Sequence, residues 1–300
     1  MRTTAPADAL PFVSLPKLSS RAMHFYTYDG SFEGLLTVVF EAYERKAWPT
    51  QIGREGEAPP GIFATHHFVP TDPGKAKRVW DGLGKKLSKA AWENVYKAYL
   101  WEQPGFEMLI FQFVQLVFSS AEGGVEENFA NRSVQKMAAV GKQMFREKHR
   151  MEAFIRFQRT QDGLYVAPIS PDFNVLPLVI AHFESRYADQ PWLIYDVRRQ
   201  YGAYYDVERV TLVTLEDAPP GLRKGQLDPA VLTSAEPLYQ ELWQAYFDHV
   251  NIPERKNKKL HLRHMPKRYW KYLTEKKPRG QAHKPIQNKQ VPTGVPRLGA

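Results

Sequence analysis

The sequence contains no cysteine in 300 residues. Disulfides, cysteine nucleophiles, zinc–thiolate sites and cysteine-ligated iron–sulfur clusters are therefore excluded for this chain. A reducing compartment fits this absence without being required by it. No apolar run approaches the ~20 residues that a membrane helix needs, so no membrane association is expected. No P-loop, GxGxxG, GxSxG, HExxH or EF-hand pattern occurs, and no cofactor is expected. The first 22 residues have no long apolar block, so they read as a disordered tail and not as a secretory signal.

Carboxylates are scarce at one end. From Glu254 to Ala300 there are fourteen Lys and Arg against Glu254 and Glu275, a net of +12. The whole chain carries +9, which leaves −3 for the rest. A basic end of this kind faces a polyanion or merely solubilises a tail. What the chain has in quantity is apolar and aromatic material, 43% and 13% of residues, ample for a large core.

Periodicity predicts an α+β fold: a helical subdomain plus an antiparallel sheet with strand-strand-helix-strand-strand order. One domain is expected over 23–275, helix-rich over 23–150, sheet-containing over 151–215 and ending in C-terminal helices and a basic segment over 236–275. A disordered basic tail is expected over 276–300. Met23 to Thr27 reads as a strand, and Ser31 caps a helix from Phe32 to about Lys46. Gln51 to Gly61 reads as a loop, and Phe63 to Val69 as β-compatible. His66 and His67 are adjacent on that segment and point to opposite faces, which disfavours a shared metal. Helices follow over about 74–87, 89–101 and 106–119, with Asp72 and Ser88 as caps for the first two. The third is apolar nearly all round and should be buried centrally.

Gln143 to Phe157 (QMFREKHRMEAFIRF) begins as an amphipathic helix and ends as a strand. Lys142, Arg146, His149 and Arg150 fall on the side of this helix opposite Met137, Val140, Met144 and Met151. Such a stripe suits phosphates, although from charge alone an ordinary solvated face is the better description. Arg156 follows on an alternating segment. Leu164 to Ile169 returns as a strand, a helix runs from about Asn174 to Tyr187, and Trp192 to Val197 and Gly202 to Val207 pair as strands. An amphipathic helix is expected over Leu238 to Val250.

Downstream, Arg255, Lys256, Asn257, Lys259, Arg263, His264, Lys267 and Arg268 precede Tyr269 and Trp270. Cations grip phosphates, while aromatics stack on exposed bases or plug the segment onto the core. Acid–base candidates are scattered: His149, Asp172, His182 and Asp196. Spacing alone does not bring them together, and no metal site is expected.

Several blocks resemble a bacterial family labelled "probable DNA metabolism protein". They are Tyr28 to Gly34 (YDGSFEG), Glu147 to Met151 (EKHRM) with Phe154 to Phe157 (FIRF), and Ala167 to Asp172 (APISPD) with Asn174. Trp192 to Asp196 (WLIYD) and Ile252 to Asn257 (IPERKN) through Met265 to Trp270 (MPKRYW) complete the set. The resemblance spans about Met23 to Glu275. It implies a cytoplasmic protein encoded beside a radical-SAM protein linked to the uracil-DNA-glycosylase superfamily. A chain without cysteine would be the companion of that enzyme and not the radical enzyme itself. The resemblance carries no catalytic residue with it.

The expected function is therefore a nucleic-acid-binding accessory protein in DNA metabolism or repair. The alternatives are an enzyme acting on nucleic acid or a nucleotide through His and Asp groups, and a protein–protein scaffold. The geometric expectation is specific. Arg146, His149 and Arg150 should lie on an accessible face near Arg255 to Trp270, and an Arg150 buried in a local ion pair would return the case for this site to an ordinary solvated face.

Overall fold

The computed structural model describes residues 23–58, 64–121, 123–250 and 257–277. The tail expected at 1–22 and residues 278–300 of the tail expected at 276–300 lie outside the described residues, as do Arg255 and Lys256. The chain falls into two compact units, the first comprising residues up to Trp92 with Gly105–Val134, the second Glu93–Pro104 with the chain from Gln135 onward.

In the first unit, β1 (His24–Tyr28) is the centre of a parallel three-stranded sheet, flanked by β2 (Gln51–Arg54) and β3 (Thr65–Phe68). The helix α1 (Phe32–Arg45) starts where Ser31 accepts the Gly34 N–H at 2.9 Å. The helix α2 (Pro73–Lys86) starts where Asp72 accepts the Gly74 and Lys75 amides. Both caps satisfy donors that a helix start leaves open.

α3 (Lys89–Trp101) and α4 (Phe106–Ser119) follow, and the boundaries of the units fall within α3 and the later helix α5. α4 buries Leu109, Ile110, Phe111, Phe113, Val114 and Val117, as its all-round apolar sequence predicts. The loop expected at Gln51 to Gly61 begins instead with β2. Its polar sequence hides a buried Ile52 and Gly53, the latter lying against the Phe25 ring. His66 meets Thr27 Oγ1 at 2.7 Å and His67 meets His24 at 3.0 Å, so the two rings serve different neighbours.

In the second unit, α5 (Arg132–Phe154) leads to β4 (Gln158–Arg159), β5 (Tyr165–Ile169), α6 (Leu176–Arg186), β6 (Trp192–Asp196), β7 (Tyr201–Tyr205) and β8 (Val210–Val213). The five strands form one sheet in sequence order. The fold is α+β with the expected strand-strand-helix-strand-strand order, but the sheet is mixed and not antiparallel. β5 and β6 run parallel, while the other neighbouring pairs are antiparallel. The cause is α6: a helix between neighbouring strands is a crossover, which returns the chain in the same direction. The strand expected from Ala153 onward is also shorter, because α5 continues to Phe154.

Phe157, Phe183, Tyr187 and Tyr205 gather around Trp192, which is fully buried. Val166, Leu193 and Tyr195 form a second cluster with Leu222 and Leu227 from the chain beyond β8. α7 (Glu236–His249) and α8 (Lys258–His264) complete the unit, followed by the 3-10 segments Lys267–Tyr272 and Thr274–Lys276. Lys276, expected in a disordered tail, closes the last of these, with its ammonium 4.5 Å from the centre of the Phe247 ring.

Candidate nucleic-acid interface

Glu147 is the acidic residue on the core side of α5, where Met144 and Met151 also point. Its side chain is 1% exposed. A buried carboxylate must be hydrogen-bonded or paired, and Glu147 has four partners. The Asp172 N–H donates to its Oε1 at 2.8 Å, and the Tyr269 hydroxyl donates to the same oxygen. The Arg150 and Arg268 guanidinium groups converge on Oε2 at 3.3 and 3.6 Å. Arg268 also reaches Asp172 Oδ2 at 2.7 Å. One carboxylate thereby joins α5, the turn after β5 and the basic C-terminal segment.

Tyr269 is 1% exposed, so it is not available to stack on a base, contrary to expectation. Burial, reinforced by the Glu147 carboxylate, pushes its hydroxyl above the usual tyrosine range. Trp270 is half-buried, and its indole N–H donates to the Met265 carbonyl at 3.0 Å. Tyr269 plugs the segment onto α5, through Glu147 and the Phe154 ring, the second of the two roles that the sequence left open, while Trp270 braces the segment internally.

The network also sorts the cations. Arg150 is half-buried in the local ion pair with Glu147, which removes it from an accessible face and counts against the charge stripe of α5 as a site. Arg268 neutralises Asp172 and Glu147. Arg156 pairs with Glu275 at 2.8 Å, donates to the Ala153 and Ile155 carbonyls and lies over the Trp243 ring. Asn257 is the cap of α8 and accepts the Leu260 N–H at 2.9 Å. These four expected phosphate contacts are engaged internally.

Lys142, Arg146, Lys259, Arg263 and Lys267 are exposed and, among the described residues, have no ion-pair partner. His149 and His264 are exposed too, His149 within 3.8 Å of Glu152 on its own helix. Between 257 and 277, eight Lys and Arg face one carboxylate, Glu275. Of the three α5 residues expected near the C-terminal segment, Arg150 meets it through the Glu147 that it shares with Arg268, as an internal pair and not on an accessible face; among the described residues neither Arg146 nor His149 pairs with 257–277.

Asp172 and Asp196 are linked only through Arg199, which reaches the Asp172 backbone carbonyl, and neither meets a histidine. Asp196, at the end of β6, is fully buried and accepts the Arg198 and Arg199 amides at 2.9 and 3.2 Å. Arg199 binds its Oδ2 at 2.9 Å and Glu102 at 2.7 Å, and extends to the Pro171 and Asp172 carbonyls. Burial raises the Asp196 pKa, with Arg199 opposing. His182 is exposed on α6, edge-on to Phe183. Among the described residues, neither His149 nor His182 lies within ion-pair distance of Asp172 or Asp196. The expected His/Asp constellation is not assembled, because the imidazoles sit on solvent faces of their helices.

Sequence reasoning missed the groove beside this ridge. α3 and α5 flank an open space of about 580 Å³ lined by Asn94, Lys97, Ala138, Gly141, Lys142, Phe145 and Arg146. Phe145 is 67% exposed and lies parallel to the His149 ring. The signal was present: at 100° per residue, Phe145 falls beside Lys142 and His149 and away from the apolar face.

Two outcomes follow. Replacing Tyr269 by Phe leaves Glu147 one charge-assisted bond short, which costs about 1.5–3 kcal/mol. Urea melts should show that loss, with faster hydrogen exchange across 257–277; unchanged stability and exchange would contradict the anchor. The second concerns Glu275. Burial opposes its ionisation, but Arg156 and the Trp243 indole N–H, each at 2.8 Å, hold it below the ordinary 4.5. A depressed acid pKa stabilises fully above that ordinary value and ceases to do so as pH falls through the folded value. The Trp243 indole resonance should therefore move only below about pH 4.5, and at higher pH once Arg156 is replaced by Gln. A titration insensitive to Arg156 would contradict the clasp.

The chain matches the model of the DUF4130 family, a domain of unknown function, over residues 104–275. That span contains Glu147, Asp172, Asp196, Arg268 and Tyr269. No curated protein matches the chain. With more than half of its length matched, the chain belongs to the DUF4130 family.

Proposed function

We propose that the protein is a nucleic-acid-binding accessory factor whose second unit grips phosphates with α5 and the α8 to Tyr272 segment. The observation that carries this reading is the anchoring of the basic segment. Eight cations against one carboxylate in a free tail would be a solubilising device. Here Tyr269 and Arg268 fix that segment to a buried carboxylate of α5, which gives its exposed cations defined positions. Fixed cations on this segment, together with the exposed Lys142, Arg146 and His149 of the helix that anchors it, suit a regularly spaced polyanion. The resemblance to DNA metabolism proteins points the same way, and a radical-SAM companion rests on that resemblance alone.

One observation favours a second reading, an enzyme acting on a nucleotide. Asp172 follows the carboxyl end of β5 and Asp196 ends β6, on the side where open α/β sheets bind ligands. Against it, Asp196 is already occupied by Arg199 and two amides. A scaffold role finds support in α7, where Leu238, Tyr239, Leu242 and Tyr246 are exposed on one side.

Reversing the charge of Lys142, Arg146 and Lys267 together should weaken binding to DNA without unfolding the protein. The slope of log affinity against log salt should shrink by about two to three, at ~0.7–0.9 for each of the three phosphate contacts. Fluorescence anisotropy across a salt series measures both. A wild-type protein with no salt-dependent affinity for single- or double-stranded DNA would remove the proposal.

A further inference from the structure

The α3/α5 groove is a place where an unpaired base fits. Four features of different chemistry meet there. The Phe145 ring stands 67% exposed in the middle of a cationic stripe. Lys142 and Arg146 flank it at helical spacing, and among the described residues neither has a hydrogen-bond or ion-pair partner. The Asn94 carboxamide, half-buried, likewise makes no hydrogen bond among the described residues and lies against Gly141, where an added Cβ would stand 2.7 Å from its Oδ1. The groove itself holds about 580 Å³.

Each feature alone has an ordinary explanation, since single exposed apolar residues are common. Together they are the parts of a nucleotide subsite. An aromatic face stacks on a base, a carboxamide offers a donor and an acceptor to its edge, and cations hold the phosphates. A duplex does not present a free base face to Phe145, because its bases are stacked on one another. An unpaired base does.

We propose that the protein binds single-stranded nucleic acid, with one base stacked on Phe145 in the α3/α5 groove, its edge facing Asn94 and its phosphates on Lys142 and Arg146. This rests on the nucleic-acid reading above and adds the strandedness and the subsite. Phe145 was absent from the residues that the sequence nominated, and it takes the stacking role that Tyr269 is too deeply buried to fill.

The test measures affinity of the full chain for labelled oligothymidylate, oligouridylate and a DNA duplex at one salt concentration. Phe145 is solvent-exposed, so Phe145→Ala leaves the fold intact, and thermal melts verify this. Phe145→Ala should lose about tenfold or more in affinity for a single strand and change duplex affinity little. Phe145→Trp should retain strand binding, and its added fluorescence should be quenched by the strand. Loss on the DNA strand, the RNA strand or both identifies the source of the base, and each supports the subsite. If the wild type binds nucleic acid with salt dependence but Phe145→Ala binds the strands equally well, the subsite is wrong and the phosphate surface stands. If the wild type binds no nucleic acid, both fall.

Discussion

The carboxylate of Glu147 is the constraint on which the arrangement of the second unit depends. A charge with 1% of its side chain exposed is tolerable only when its oxygens are filled, and removing a partner of a buried charge costs more than the pair contributes. Its oxygens are filled by Tyr269, the Asp172 amide, Arg150 and Arg268. Those partners come from α5, from the turn after β5 and from the C-terminal segment. Satisfying one group therefore fixes three stretches that are far apart in sequence.

The same requirement divides the cations into two classes. Arg150, Arg268 and Arg156 neutralise buried or half-buried carboxylates and hold the unit together. Lys142, Arg146, Arg263 and Lys267 neutralise nothing within the described residues and face solvent. The basic composition of the C-terminal region is thus only partly available to an outside partner. The pairing at Glu147 and Glu275 withdraws some charge and immobilises what remains. Phe145 and the carboxamide of Asn94 lie in a groove with Lys142 and Arg146, cations carried by α5 itself.

Much of the fold was legible in the sequence because local signals agreed. Ser31, Asp72 and Ser88 mark helix starts, and the apolar run of α4 marks a buried helix. β2 was not legible, since QIGR is polar and short and is a strand only because Ile52 and Gly53 meet β1. The parallel pairing of β5 and β6 was readable from the intervening helix, but strands buried on both faces carry no periodic sign of direction. The site was harder. That Tyr269 is interior follows from a hydrogen bond to a residue 122 positions away, which no local pattern encodes. Arg150 and Arg146 look alike in sequence and differ only because one stands beside Glu147. The histidines were proposed from residue type alone, and the fold leaves them on helix surfaces.

The central claim is that α5 and the C-terminal segment form one built surface for nucleic acid. Hydrogen exchange of the full chain with and without a single-stranded oligonucleotide tests it most directly. The account predicts that protection appears together across 138–149 and 258–268, and that added salt removes both at once. Protection confined to 278–300, or none anywhere, would contradict it.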